Sequence, residues 1–393
     1  METESPGDVN TILSVITKQV IELRTEQLTF ISCKSQLLLT YLQFKDEISN
    51  IQEILVFLKK KLGNKPCISK ISPKIGAFVS PKIREIIYDL KYLLNIAELM
   101  CSISVSPNGK FLSFATMSSV LLYDYNNGIL VKTVPMPKYQ WSFGDNVIRK
   151  VHFSPDSSLL AICPPCNQIF VFKTSSLDLV SVLSGFVSFI TSVSFFQDSK
   201  RLISSGLDGS ICIWNLETAK IQKKFLFNDT HTKEPKMITD MKMSLDDRLI
   251  IIGFVDGTVK CIDMNETVLF NFQAHSCQIL SVDISPNNQM IATSASECIA
   301  KVWNIQSVNE GINLSGHSDL VPTITFSNES DLVFTGSKDE SIKCWDATNG
   351  IMYISISYHE NTVFQVCHHP FNRSFATCSG DGCISIWDYR IRI

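Results

Sequence analysis

Between Ile324 and Cys344 the chain alternates apolar and polar positions in three short runs, Ile324-Thr-Phe326, Leu332-Val-Phe334 and Ile342-Lys-Cys344, parted by turns rich in Asn, Asp, Ser and Gly. Period-two alternation closed by such turns predicts the strands of a small antiparallel sheet. The pattern returns along the chain. Aligned on Trp345-Asp346, equivalents fall at Tyr123-Asp124, Phe172-Lys173, Trp214-Asn215, Ile262-Asp263, Trp303-Asn304 and Trp387-Asp388, in steps of 49, 42, 48, 41, 42 and 42 residues. So small a sheet cannot bury both faces alone, and copies at this interval pack radially about an axis. A seven-bladed all-β propeller over residues 85–393 is the expected fold.

Trp387 lies six residues from Ile393, too few for a fourth strand in the last blade. An upstream strand must supply it. Arg84–Leu90, β-branched and aromatic, is the candidate, with a helix over Ile83–Leu94 as the competing reading. Closure through a distant strand removes exposed sheet edges.

The first 63 residues follow another period. From Asp8 to Leu62 there is neither Gly nor Pro, and every seventh residue from Val9 is apolar: Val9, Ile16, Leu23, Phe30, Leu37, Phe44, Ile51 and Leu58. A second seam four residues on is broken only by Gln27 and Lys34. Sustained heptads predict a long α-helical coiled coil, with the polar seam residues fixing register and oligomer state. Ile12, Ile21, Leu38, Leu39 and Phe57 widen the stripe beyond what two helices cover, so a homo-oligomer above a dimer or a helical partner is expected. Residues 64–84 hold Pro66, Pro73 and Pro81, five basic residues and no acid, and read as a semi-extended linker.

A net charge of -3 and 45% apolar residues fit a large core and no broad grip on phosphate backbones, so no direct nucleic-acid binding is expected. No run approaches the roughly 18 apolar residues of a membrane span, and none of the 13 cysteines shows paired framework spacing, which suits a reducing compartment. Cys163-Pro-Pro-Cys166 is the one metal-like or redox-like motif, but no second pair stands near it to complete a zinc site. No cofactor is implied.

Candidate catalytic residues dissolve into the repeat. Counting back from the Trp position, an acid lies six residues before it (Asp208, Asp256, Glu297, Asp339, Asp381) and a hydroxyl ten before it (Ser204, Thr293, Thr335, Thr377). A histidine lies 28 before it at His275, His317 and His359. A triad recurring in register is architecture, not an active site, and no enzyme is expected. With these residues the sequence resembles the WD-repeat family, whose His, turn Asp, Ser/Thr and Trp form a hydrogen-bonded chain within each blade. The resemblance implies that chain for His275, Thr293 and Trp303, for His317, Thr335, Asp339 and Trp345, and for His359, Thr377, Asp381 and Trp387. The fold class is then an all-β seven-bladed WD-repeat propeller preceded by a long N-terminal α-helical coiled coil.

Three further stretches, Ile148-Arg-Lys-Val-His-Phe-Ser-Pro-Asp156, Gly336-Ser-Lys-Asp339 and Phe375-Ala-Thr-Cys-Ser-Gly-Asp-Gly382 with Ile386-Trp387, resemble the Tup-type general transcriptional corepressors, and more loosely the Groucho type. Pro81-Lys-Ile-Arg-Glu-Ile-Ile87 looks like that family's approach to the ring. The resemblance implies a corepressor scaffold in the nucleus. Its helices would form a tetramer and bind a tetratricopeptide-repeat corepressor, and its propeller would engage DNA-binding repressors, with contact to histone tails and histone deacetylases. The family's long middle region is here reduced to the linker.

Peptide ligands of propellers dock where loops lead into the first strands. Arg149, Phe189, Gln278, Leu280, Leu320 and Phe364, with Leu207 and Lys338 from adjacent turns, are the expected partner-binding residues there. Two rival readings are a substrate receptor of a cullin-type ubiquitin ligase, from the ending Trp387-Asp-Tyr-Arg390, and a G-protein β-like subunit, which also joins an N-terminal helix to seven blades.

Overall fold

In the computed structural model the described residues are 85–392, apart from 97, 99, 117–118, 136–149, 165 and 230–233. The coiled coil expected over 1–63, the linker 64–84 and Arg149 lie outside them.

The described chain forms seven four-stranded antiparallel sheets in ring order. Blade 1 is β2–β5 (Ile103–Pro135), blade 2 β6–β9 (Lys150–Ser184), blade 3 β10–β13 (Ile190–Leu226) and blade 4 β14–β17 (Ile238–Gln273). Blade 5 is β18–β21 (Ile279–Ser315) and blade 6 β22–β25 (Thr323–Ser357). Blade 7 takes β26–β28 (Val363–Arg392) and closes with β1 (Glu85–Asn95), its outermost strand. The strand reading of this upstream segment holds and the helix reading fails. β1 pairs antiparallel with β28 from Glu85↔Arg392 to Asn95↔Cys383 and runs five residues beyond Leu90, with a bulge between Leu90 and Tyr92.

Among the described residues there is no single core. The buried apolar residues fall into seven wedges, each shared by two neighbouring blades. Between blades 2 and 3, for example, Val171 and Leu183 meet Phe186, Phe195 and Trp214. Each sheet therefore depends on both neighbours, which is why small repeats are stable only as a ring.

Polar stitches join the wedges at two levels. Near the axis, a side chain of one inner strand caps a backbone group of the next. Ser102 Oγ accepts from Val151 N (3.0 Å), Asp240 from Val282 N (3.0 Å), Asp283 from Phe326 N (2.9 Å), Thr323 from Val366 N (3.2 Å) and Gln365 from Ile103 N (3.1 Å). Lys150 Nζ crosses blade 3 to reach Asp240 at 3.3 Å, and Lys242 Nζ reaches Asp283 at 3.1 Å, so both buried carboxylates are paired and hydrogen-bonded.

At the lower face, the left-handed residue of one turn accepts the backbone N–H of the preceding blade's turn: Ser157 from Asn108, Ser199 from Asp156, Asp247 from Gln197, and Ser330 from Asn287. The seam between blades 7 and 1 is latched by His369. Its Nδ1 accepts from the backbone of Phe371 and Asn372, leaving Nε2–H to donate to Gly109 O at 3.1 Å. Gly109 has φ +69°, and a Cβ there would lie 2.7 Å from the His369 ring, so glycine is required on both counts.

Candidate functional site: the buried networks and the upper face

The repeated His, acid, hydroxyl and Trp residues do assemble within blades. In blade 6, His317 Nδ1 lies 2.8 Å from Asp339 Oδ2 and Nε2 lies 2.7 Å from Thr335 Oγ1, which accepts from Trp345 Nε1 at 2.8 Å. The direction of the chain follows from chemistry. Indole N–H can only donate and an ionised carboxylate can only accept. With His317 neutral, the hydroxyl proton goes to Nε2 and the Nδ1 proton to Asp339. Burial pushes the His317 pKa down, outweighing the raising effect of Asp339. Burial also opposes ionisation of Asp339, but hydrogen bonds from His317, Ser341 and the Ser318 N–H prevail and hold its carboxyl well below the usual range.

Blade 5 repeats the arrangement, with Glu297 reaching His275 Nδ1, Thr293 2.8 Å from Nε2, and Trp303 Nε1 donating to Thr293 at 2.9 Å. Blade 7 departs from the expected chain. His359 meets Asp381 and Thr377, each at 2.8 Å, but Trp387 Nε1 donates to Ser385 Oγ at 2.7 Å rather than to Thr377. Ser385 Oγ in turn lies 2.5 Å from Thr377 Oγ1, so an additional hydroxyl bridges the two. In blade 3 Trp214 donates to Ser204 at 2.7 Å, while Phe186 fills the histidine site with its ring centroid 6.0 Å from Trp214.

The side chains of His275, His317 and His359 are 0% exposed and both ring nitrogens of each are engaged, so no substrate reaches them. Cys163 is buried, which pushes its thiol far up, and Cys166 is half-buried and also raised by burial. Among the described residues, no group of three or more His, Cys, Asp or Glu could hold a metal ion.

The upper face, where each blade's first strand begins, carries a second repeat. In five blades the loop before the first strand accepts a backbone hydrogen bond from the loop between the second and third: Phe189 O from Leu207 N, Met237 O from Val255 N, Gln278 O from Ser296 N, Leu320 O from Lys338 N, and Thr362 O from Gly380 N. The first residues lie 25 before the Trp position and the second seven before it. Each of these five blades thus sets a matched pair of positions around the axis.

The predicted face residues sit on these loops, with differences. Phe189, Leu207 and Leu320 are half-buried, and Gln278 and Lys338 are exposed. Leu280 and Phe364 occupy bulges at the start of β18 and β26, which re-aim their side chains. Phe364 also packs into the wedge between blades 7 and 1. Three residues went unforeseen: Val187, 84% exposed, Met237, 53%, and Val255, 38%. Blade 4 has no His, hydroxyl or Trp to mark its register, yet counting back 25 and seven from Ile262 reaches Met237 and Val255.

Four stretches, 177–215, 266–304, 309–346 and 352–388, match the WD40 family model, described as WD domain, G-beta repeat. They include the third strands of blades 3, 5, 6 and 7, where Trp is present. The chain carries WD40 repeats in a seven-bladed propeller. It is 22% identical to Periodic tryptophan protein 2 of Arabidopsis thaliana over 54% of this chain and 23% of that protein. It is 29% identical to Apoptotic protease-activating factor 1 of Rattus norvegicus over 33% of this chain and 10% of that protein. Transcriptional corepressor LEUNIG_HOMOLOG of Arabidopsis thaliana matches at 25% over 34% of this chain and 17% of that protein. The chain spans a quarter or less of the length of each of these relatives.

Proposed function

We propose that this chain is a protein–protein interaction scaffold whose propeller receives a short apolar segment of a partner on the upper face of blades 3 and 4. One observation carries the reading. Of the five matched loop pairs, Phe189/Leu207 and Met237/Val255 are the two in which both side chains are apolar, and they are neighbours. Val187 and Leu226, 84% and 58% exposed, extend the same sector. Adjacent exposed apolar side chains on a face built from loops are where a partner's hydrophobic anchors gain most from leaving water.

In its finer form the proposal is a nuclear transcriptional corepressor that oligomerises through residues 1–63 and binds DNA-bound repressors through this sector. A tetratricopeptide-repeat corepressor, histone tails and histone deacetylases are its further proposed partners. The resemblance of the propeller motifs and the sustained heptad support it, as does the match to one relative named a transcriptional corepressor. The other matched relatives carry varied names, so the scaffold statement stands ahead of the corepressor one.

The test is affinity purification of the full chain from nuclei, beside a Val187→Asp/Met237→Asp variant. The sector reading expects DNA-binding repressors to co-purify with the parent and be lost from the variant, with the melting temperature unchanged. Identical partner sets from the two proteins would overturn it. Recovery of a cullin adaptor or of one small helical subunit in place of a tetratricopeptide-repeat protein would overturn the corepressor form alone.

A further inference from the structure

Three lysines stand at the same register position, two residues before the Trp position on the third strand of their blades: Lys260 in blade 4, Lys301 in blade 5 and Lys343 in blade 6. An ammonium carries three donors and has to place them when it leaves bulk water. Lys301 Nζ donates to Ala274 O at 2.8 Å and Lys343 Nζ to Ser355 Oγ at 2.6 Å. Lys260 has no such acceptor among the described residues. Its Nζ lies 5.0 Å and 5.9 Å from the ring centroids of Phe227 and Phe254, whose faces attract a cation and hold it in place without supplying an oxygen.

A second ammonium shares the place. Lys236 Nζ sits 4.6 Å from the same Phe254 ring and is paired with Asp256 Oδ2 at 2.8 Å. Burial first, and then Lys236, lower the pKa of Lys260, with Asp256 opposing them. Two cations thus meet one carboxylate, which leaves an excess of one positive charge at this corner of blade 4. The backbone that carries it is fixed, since Phe227 N donates to Gly209 O at 2.9 Å and Lys236 N donates to Phe227 O at 2.8 Å. Lys236 and Asp256 are the chain neighbours of Met237 and Val255, and Phe227 is that of Leu226, so the charge adjoins the apolar sector proposed above.

We propose that the partner segment received by this sector carries an aspartate or glutamate whose carboxylate is seated by Lys260 and Lys236, beside the apolar residues that cover Met237 and Val255. The inference rests on the sector reading and adds to it the charge of the partner. One carboxylate neutralises the excess, whereas a phosphate of nearly two negative charges beside Asp256 would reverse it. The same carboxylate gives Lys260 the acceptor that its counterparts in blades 5 and 6 find within the protein.

The test selects binders to the full chain from a phage-displayed library of random dodecapeptides and measures the synthetic consensus peptide by fluorescence anisotropy. The consensus is expected to hold an acidic residue at a fixed offset from apolar ones. Changing that residue to its amide, or Lys260 to Met, should each weaken binding roughly tenfold, and the two changes together little more than either alone. Asp256→Asn keeps the acceptor for Thr258 and removes the competing charge, so it should tighten binding about threefold, a direction that a merely structural role of the loop would not give. It also decides the matter if Lys260→Met does not fold. Binding that is lost in the Val187→Asp/Met237→Asp variant but indifferent to the amide peptide and to Lys260→Met would overturn the inference and leave the sector standing. Full binding by the Val187→Asp/Met237→Asp variant, or a library that yields no binder, would overturn the sector and the inference with it. Binding tenfold tighter when phosphoserine replaces the acidic residue would make phosphate the occupant and overturn the carboxylate assignment.

Discussion

Replacing Thr335 by Val tests the claim that the recurring polar residues are internal braces. The substitution keeps the volume and removes one hydroxyl. That hydroxyl accepts from Trp345 Nε1 at 2.8 Å and lies 2.7 Å from His317 Nε2, and Thr335 and Trp345 are 0% and 1% exposed. Two buried groups are left without partners. At about 1–3 kcal/mol for each orphaned group, the cost is roughly 2–6 kcal/mol. With about 2 °C per kcal/mol for a large domain, the melting temperature is expected to fall by roughly 4–12 °C. Thr335→Ser keeps the hydroxyl and should lose about 1 kcal/mol or less. Trp345→Phe removes the donor, so combining it with Thr335→Val should cost less than the sum, with a coupling of about 1 kcal/mol or more. Thermal and urea melts followed by circular dichroism read the parent and the four variants. A Thr335→Val protein within about 0.5 kcal/mol of the parent, or a strictly additive double variant, would refute the brace reading.

Burial lowers the pKa values of His152 and His368 to about 4 and lowers those of His275, His317 and His369 as well. The unfolded chain therefore takes up protons first, and stability is complete above about pH 6.5 and declines as pH falls toward 4, by about 1.4 kcal/mol per pH unit for each histidine still neutral. A melting temperature that stays flat from pH 7 to 4.5 would contradict this. Asp283→Ala should destabilise by roughly 1–3 kcal/mol, because it strips the buried Phe326 N–H of its acceptor and takes a partner from Thr325 and the half-exposed Lys242; a urea midpoint equal to the parent's would exclude that role. Phe186→His places an imidazole 18 residues before Ser204 and 22 before Asp208, the spacing of the complete networks. It should melt within a few degrees of the parent, whereas Phe186→Ala should cost about 3–5 kcal/mol, and equal losses from the two would contradict the shared site.

The ring was legible because Trp303, Trp345 and Trp387, with their turn acids, mark a period that strand alternation alone leaves vague. Blades 1 and 2, where Tyr123 and Phe172 stand at the Trp position, were placed by spacing, and the family match likewise skips their third strands. Met237 and Val255 escaped because blade 4 was indexed on side chains it lacks, while the backbone hydrogen bond that sets the register was intact. The detour through Ser385 could not be read, since Thr377 and Ser385 both stand within reach of Trp387 and only rotamers decide between them. The stitches between blades were illegible for another reason. They join unlike residues more than 40 positions apart, such as Lys150 with Asp240, and no local pattern encodes them.

The pairing of Glu85 with Arg392 has a consequence for how the protein is made. The 307 residues that follow Glu85, up to and including Arg392, must be synthesised before that pair can form, which at about 5–20 residues per second takes roughly 15–60 s. Bringing such distant partners together costs about 5 kcal/mol of loop entropy, which the ladder between them has to offset. Until the final strand leaves the ribosome, the nascent molecule is an open arc with two naked flanks. That is the stage at which a chaperone would hold it and a stalled ribosome would release an aggregating fragment.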